Sequence, residues 1–242
     1  MRPIQALFCD LDETLGSDNE SSSLSLQQVI PIIRAKYPRL ESEQIRHTYT
    51  RINSWHWEHF EESPIREIAS EVRTRSIIFD VVFRELDIED ASFADEIAYE
   101  FEQWRMKTYR CYDDSIPVLR SLHGRIAIVL VTNGNSRMQR WKIEHCDFSP
   151  YLDAVFIAQE LGFSKPSPFV FQRACKAVNV EPGSVLMVGD SLEKDVQGAQ
   201  NAGCRAAWMV RNGAASISPD PKPDFIVHGM IEVKNIIERS IS

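Results

Sequence analysis

Several features that would place a chain quickly are missing. No apolar stretch among the 242 residues approaches the roughly 20 needed to span a bilayer, so a membrane partner is not expected. Met1-Arg2-Pro3 leads straight into an apolar run with no signal peptide, and the expectation is a cytosolic protein. Basic charge is short. The 27 Lys and Arg face 35 Asp and Glu, for a formal net charge of -8, which argues against nucleic acid as a general partner because a phosphate backbone is bound through Lys and Arg clusters. Cysteine is sparse too: Cys9, Cys111, Cys146, Cys175 and Cys204 are odd in number and contain no Cys-x-x-Cys spacing. They read as small buried hydrophobes in a reducing compartment, not as a disulfide frame or a zinc site. No internal repeat or extended low-complexity region is present, although Asn212 to Asp224 is a Pro-rich loop.

What is present is a chain with 43% hydrophobic residues, enough to bury one sizeable core or two smaller ones. Its most informative segment is Asp10-Leu-Asp12-Glu-Thr14, at the end of the apolar run Ile4 to Cys9. Two carboxylates at the mouth of a buried strand sit where an α/β sheet places its chemistry. Alternation sends Asp10 and Asp12 to the same side if the extended geometry persists. At about 4 Å and an effective dielectric of about 20, two ionised carboxylates repel by roughly 4 kcal/mol, so the pair predicts a metal, a shared proton or both.

Three later segments join this one. Ile126 to Val131 is a β-branched apolar run ending in Thr132-Asn133-Gly134. Lys165-Pro166 follows in a polar loop, and Val185 to Val188 closes on Gly189-Asp190-Ser191, with Asp195 five residues beyond Asp190. Singly, each has an ordinary reading as a turn, loop surface or helix start. Together and in this order, with three at strand C-termini, they point to one site.

The set resembles the haloacid dehalogenase superfamily of phosphohydrolases over Ile4 to about Gly203. The resemblance implies Asp10 as nucleophile, Asp12 as general acid and base, and Thr132, Asn133 and Lys165 as phosphate-binding residues. It also implies Mg²⁺ held by Asp10, the Asp12 carbonyl and Asp190, with Asp195 supporting the metal's hydration shell. The fold implied is α/β: a Rossmann-like open parallel sheet of order 3-2-1-4-5 with an inserted α-helical cap. Within the superfamily, the segments around Thr132 to Asn135, Gln139-Arg140, Lys142 to Glu144 and Val188 to Asp195 are similar to the branch that contains N-acylneuraminate-9-phosphatases and 5'-nucleotidase or flavin-mononucleotide phosphatases.

Spacing locates the insert. The steps from Thr132 to Lys165 and from Lys165 to Asp190 are near the roughly 30 residues of a βαβ unit, whereas the step from Asp10 to Thr132 is far longer. Within it, Ile65, Ile68, Val72, Phe79, Phe83 and Leu86 recur at three, four or seven residues, as do Phe93, Ile97, Phe101 and Trp104, which marks apolar stripes on helices. Two more helices are expected: Leu24 to Tyr37, kinked or shortened at Pro31, and one capped by Ser42 and running through Phe60. The division expected is therefore a catalytic core of residues 1–16 and 115–242 with a helical cap of residues 17–114. The polar run Gly16 to Ser23 and the segment Cys111 to Ser115 read as hinges. Later elements are expected at Asp153 to Ile157 (strand), Pro168 to Val178 and Glu193 to Ala202 (helices), Ala206 to Val210 (strand), Phe225 to Val227 (edge strand) and Ile231 to Arg239 (helix).

A charge count completes the expectation. Asp10, Asp190 and Asp195 give three negatives against three positives from Mg²⁺ and Lys165, so a protonated Asp12 would leave the site near neutrality. Trp55-His56-Trp57-Glu58-His59 contains His-x-x-His but no further His or Cys nearby, and reads as a packed helix face, not zinc. Arg66, Arg73 and Arg75 read as a solvated helix face, and Cys9 as core. The function expected is a Mg²⁺-dependent phosphatase of a small phosphorylated metabolite, a sugar phosphate or a nucleoside monophosphate, acting through an aspartyl phosphate. The alternatives are a phosphomutase, a 2-haloacid dehalogenase, against which Asp12 and Asp190 argue, and a non-catalytic phospho-ligand binding protein.

Overall fold

The computed structural model describes residues 2–59, 71–211 and 219–241. In chain order its first elements are β1 (Ala6–Cys9), α1 (Asp18–Lys36), α2 (Ser42–Glu58), α3 (Glu71–Glu85), α4 (Ala91–Thr108), α5 (Ser115–Leu122), β2 (Ala127–Thr132) and α6 (Ser136–His145). There follow β3 (Ala154–Ile157), α7 (Ala158–Leu161), α8 (Pro168–Ala177), β4 (Val185–Gly189), α9 (Gly198–Asn201), β5 (Arg205–Met209), β6 (Phe225–Val227) and α10 (Met230–Ile241). The chain divides into two compact units, Met1–Ser17 with Arg110–Ser242, and Asp18–Tyr109.

The first unit is built on a six-stranded parallel sheet of order β3-β2-β1-β4-β5-β6. Five strands follow the expected order, and the edge strand β6 extends it by pairing Ala207 with Phe225. Strands buried on both faces read as continuous apolar runs, and every residue of β1 and β4 is buried. On one face Phe8, Val129, Val131 and Met187 pack with Val170, Phe171 and Ala174 of α8. Each large side chain withdrawn from water in this way contributes about 1.5–3 kcal/mol. Central β1 pairs on one side with β2, Cys9 opposite Leu130, and on the other with β4, Cys9 opposite Val188. The chain runs outward from β1 in both directions, which makes its carboxyl end the crevice of the sheet.

One expected helix of this unit departs from regularity. The stretch Glu193 to Ala202 opens as a π-helical turn, Leu192–Gln197, before α9. Ser191 caps it by accepting from the Lys194 N–H at 3.1 Å, and the widened turn carries Asp195 inward to 1% exposure.

The second unit consists of α1 to α4 over its described residues. Leu26, Val29, Ile30 and Ile33 of α1, Ile45, Tyr49 and Ile52 of α2, Ile78, Phe79, Val82 and Phe83 of α3, and Phe93, Ile97 and Phe101 of α4 form its core. Their three- and four-residue spacing is that of amphipathic helices. Ile77 to Phe83 is helical, as its stripe required. Ile65, Ile68 and Arg66, the end of the expected helix at Phe60, and most of the Pro-rich loop lie outside the described residues.

Three expectations are corrected here. The polar run after Gly16 is not all hinge: Asp18 to Ser23 forms the opening turns of α1, because Ser21 Oγ donates to Asp18 O at 2.8 Å and Ser25 Oγ to Ser21 O at 2.7 Å. α1 is also not shortened at Pro31 and continues to Lys36. The proline is exposed, and burial of Val29, Ile30 and Ile33 offsets the roughly 3 kcal/mol that an interior proline costs. Ser42 is the first helical residue of α2 and not its cap, a place taken by Glu41 without a side-chain bond.

Arg75 is the fourth correction. It is 2% exposed, not solvated, and pairs with Glu102 at 2.9 Å while its other nitrogen donates to Tyr49 Oη and to Asn53 Oδ1. Arg105 donates to Glu102 Oε2 at 3.2 Å and to Asp18 Oδ1 at 2.7 Å. Burial opposes ionisation of Glu102, but Arg105 and Arg75 outweigh it and hold the carboxyl below its ordinary value. Arg73 is on the surface, 3.6 Å from Asp95. No described helix is long and apolar enough to cross a membrane.

Candidate active site

The carboxyl ends of β1, β2 and β4 bring the motif residues together. Asp10 follows β1 and is tied to the neighbouring strand by its N–H, which donates to Val188 O at 2.9 Å. Thr132 is the last residue of β2, and Asp190 follows Gly189 at the end of β4. Lys165 enters from the loop before α8. It is 3% exposed, and its Nζ donates to Asp10 Oδ1 and to Asp195 Oδ1, both at 2.6 Å.

Each of these groups is held from behind. Asn133 Nδ2 donates to Lys165 O and Asn133 Oδ1 accepts from Lys165 N–H, both at 2.9 Å, so one side chain fixes the lysine's backbone. Asp195 Oδ2 accepts from the Ser191 N–H at 3.0 Å. Gly189 makes room for Asp195: a Cβ there would lie 2.2 Å from the Asp195 Cγ. Trp208 Nε1 donates to Asp190 O at 2.8 Å. Beyond Asp12 the chain turns sharply, with Glu13 at φ 58° and the N–H groups of Leu15 and Gly16 both donating to Leu11 O at 2.9 Å. Arg211 clasps that turn through Nη2 on Thr14 O at 2.7 Å and binds both oxygens of Asp114 through Nη1.

The charge at the crevice is lopsided. Carboxylate oxygens of Asp10, Asp190 and Asp195 lie within 4.8 Å of one another, the one such group of potential metal ligands among the described residues. Burial raises the Asp10 carboxyl to about 6, with Lys165 opposing and Asp195 adding to the rise. Water reaches Asp190, yet loss of hydration and then the charges of Asp10 and Asp195 push it up to about 8. Burial favours the neutral amine at Lys165, but the two aspartates outweigh it and hold the ammonium above the ordinary lysine value. Cys9 is fully buried, and burial followed by the Asp10 charge raises its thiol, in keeping with a core residue.

Asp12 stands apart from that cluster. Its Oδ1 accepts from Lys142 Nζ at 2.7 Å and its Oδ2 from Gln139 Nε2 at 2.9 Å. Gln139 Nε2 also reaches Thr132 Oγ1 at 2.7 Å and Asn133 O at 3.0 Å, so one amide ties the first motif to the second. Gln139 and Lys142 lie three apart on α6, hence on one face, and are 2% and 1% exposed. Asn135 starts that helix by accepting from the N–H groups of Arg137 and Met138. Neither Gln139 nor Lys142 was expected at the site. The available signal was a polar pair at helical spacing on the buried side of α6, beside Met138 and Ile143.

The cluster fits a small divalent cation on its own chemistry. Three carboxylates within reach of one another are hard oxygen donors, and two of them hold protons above the ordinary range, through burial first and the charge of neighbouring aspartates second. The His-x-x-His motif gives no comparable site: His56 is buried, and His59 stacks on Trp55 with ring centroids 5.0 Å apart.

The chain is similar to known proteins over most of its length. The family model of haloacid dehalogenase-like hydrolases matches residues 4–203. The N-acylneuraminate-9-phosphatase of Homo sapiens is 29% identical, over 97% of this chain and 94% of its own. The glyceraldehyde 3-phosphate phosphatase of Pyrococcus furiosus is 27% identical, over 99% and 95%. Among solved structures, the putative hydrolase YfnB of Bacillus subtilis, bound to magnesium, superimposes with a TM-score of 0.77 over 98% of this chain and 99% of its own, at 20% identity.

Proposed function

Since the chain belongs to the haloacid dehalogenase-like hydrolase family and is a phosphoric monoester hydrolase, we propose that it is a Mg²⁺-dependent phosphatase of small metabolites that works through an aspartyl phosphate on Asp10. The observation that carries this reading is the acid-rich cluster of Asp10, Asp190 and Asp195 around Lys165 at the carboxyl end of the central strand.

In this reading Asp10, the Asp12 carbonyl and Asp190 would hold Mg²⁺, with Asp195 supporting its hydration. The ion would supply positive charge that offsets the phosphoryl oxygens and favours the ionised Asp10 carboxylate. A carboxylate of Asp10 attacks phosphorus in line, so that one difficult displacement becomes two easier ones. Lys165 binds a phosphoryl oxygen as a point charge, while the Thr132 hydroxyl and the N–H groups of the turn at Asn133 bind others. Asp12 gives a proton to the leaving alcohol and takes one from the water that follows.

The Lys142 contact revises the charge count. With Lys142 included, Mg²⁺ and two lysines supply four positive charges, and Asp10, Asp12, Asp190 and Asp195 ionised supply four negative ones. A protonated Asp12 is therefore not needed for neutrality before substrate arrives. The phosphate dianion brings negative charge beside Asp12, which favours uptake of a proton from solvent by Asp12 once substrate is bound.

The core residues recognise phosphate and leave little to recognise the organic part, which falls to the helical insert acting as a cap. Sugar phosphates are favoured as the substrate class by the names of two relatives that match the chain nearly end to end, an N-acylneuraminate-9-phosphatase and a glyceraldehyde 3-phosphate phosphatase. The test is phosphate release over sugar phosphates, nucleoside monophosphates and flavin mononucleotide, with Mg²⁺ and with excess chelator. Release from a sugar phosphate that requires Mg²⁺ is the expected result. Full activity in chelator, or turnover of a 2-haloacid in place of any phosphomonoester, would refute the reading.

A further inference from the structure

Gln139 has no step in the proposed reaction, yet its amide lies between two groups that do. The side chain is 2% exposed, and its Nε2 is 2.9 Å from Asp12 Oδ2, 2.7 Å from Thr132 Oγ1 and 3.0 Å from Asn133 O. It packs against the turn that follows β2: Gly134 holds φ 117°, and a Cβ there would meet Gln139 Cδ at 3.5 Å. Lys142, three residues further along α6, holds the other oxygen of Asp12 at 2.7 Å.

The chemistry of these three neighbours fixes which way the amide faces. An ionised carboxylate and a backbone carbonyl only accept, so Gln139 turns its NH2 and not its carbonyl toward them. Thr132 Oγ1 accepts from the same NH2 at the shortest of the three distances. A hydroxyl that accepts on one side keeps its own proton to give on another. That proton goes to Asn133 O at 3.2 Å, the longest contact of the group. A phosphoryl oxygen competes well for it, because hydrogen bonds to an anion are shorter and stronger than those to a neutral carbonyl. One buried amide therefore acts on the phosphate-binding hydroxyl and on the acid-base carboxylate together.

We infer that Gln139 is a positioning residue, which orients the Thr132 hydroxyl to donate to a phosphoryl oxygen and fixes Asp12 beside it. The inference rests on the roles proposed above for Asp12 and Thr132. Its signature is a loss in two quantities at once. Releasing Thr132 weakens the hold on phosphate, and releasing Asp12 slows the proton transfers. A buried side chain that merely filled space would show its loss in stability, with binding and turnover left as they were.

Two variants of similar shape, Gln139→Met and Gln139→Glu, separate the donor from the space it fills, and either decides the matter if the other fails to fold. Each full-length protein is compared with wild type in steady-state hydrolysis of a sugar phosphate with Mg²⁺, in calorimetric binding of inorganic phosphate with Mg²⁺, and in chemical denaturation. Gln139→Met should raise KM and the phosphate Kd by about tenfold and lower kcat by about tenfold, the loss expected of one hydrogen bond at each group. Gln139→Glu puts an acceptor where the site needs a donor, and should do no better. The inference is overturned if a folded variant keeps wild-type kcat and phosphate affinity, whatever its denaturation midpoint, or if only one of the two quantities changes. Wild-type turnover separates the two levels of the argument. A wild type that releases no phosphate with Mg²⁺ refutes the proposed function and this inference with it, whereas an active wild type matched by Gln139→Met refutes the role of Gln139 alone.

Discussion

The two units bury charge in opposite ways. In the helical unit, Arg75 and Arg105 face Glu102 and Asp18, two charges of each sign, and the effect on Glu102 is to favour its ionised form. In the sheet unit, Asp10, Asp190 and Asp195 gather around the single ammonium of Lys165, and two of the three acids are driven toward their neutral forms. A balanced network supports a fold, whereas an unbalanced one at the mouth of a sheet is a demand for a ligand. The contrast separates a structural use of buried charge from a chemical one within a single chain.

The largest expected effect tests the chemical side. Asp10→Asn should lower turnover by at least about a thousandfold, roughly 4 kcal/mol of barrier, because an amide cannot form the acyl phosphate. The circular dichroism spectrum should be unchanged. Activity near the wild-type level would remove Asp10 from the mechanism.

Breaking the balanced network should do the reverse, costing stability and not chemistry. Arg75→Met leaves the Glu102 carboxylate buried with half its positive company, a loss of about 3–5 kcal/mol. Chemical denaturation should show it, and the protein that remains folded should still hydrolyse a small activated aryl phosphate. If stability were unchanged, the network would not be the support described.

Asp12 belongs to neither pattern alone, since it is an acid of the site held by a paired base. Lys142→Met should reduce kcat by about a hundredfold, within the range of general acid–base catalysis, with a much smaller change in KM. Lys142→Arg should recover part of the loss. A change confined to KM would make Lys142 a binding group and not a positioning residue for Asp12.

The smallest effect is on pH dependence, where the two units should slope in opposite directions. Asp10 and Asp190 keep protons in the folded, metal-free protein that the unfolded chain releases near 4. Their contribution is therefore full below the ordinary carboxylate range and is lost as pH rises through about 6 and about 8, with the Asp190 part reduced by its exposure. Glu102 has the opposite sign: its contribution is present above the ordinary Glu range and is lost as pH falls. Thermal melts in chelator should show the metal-free sheet unit weakening between pH 5 and 8.5, and saturating Mg²⁺ should flatten that slope. Equal slopes with and without Mg²⁺ would separate the acidic cluster from metal binding.

The distribution of these features explains what the sequence disclosed. Strand ends were legible at Cys9, Thr132 and Gly189 because a sheet buried on both faces writes itself as continuous apolar runs, and the residue after each run sits at the crevice. Lys142 and Arg75 were not legible, because a buried charge is identified by its partner, and the partners Asp12 and Glu102 lie 130 and 27 residues away. Asp18 to Ser23 misled for a related reason. A serine-rich run reads as loop, but here Ser21 and Ser25 bond to carbonyls one turn earlier and are themselves buried in the helix.

The account stands most directly on the covalent step at Asp10. Asp12→Asn protein, mixed with a sugar phosphate that the wild type hydrolyses, can be quenched in acid during turnover and reduced with borohydride, which converts an aspartyl phosphate to homoserine. The expected result is homoserine at position 10 in the peptide that spans Ile4 to Thr14, formed with Mg²⁺ and absent with chelator. Phosphate release with no homoserine at position 10, or with the modification on another aspartate, would contradict it.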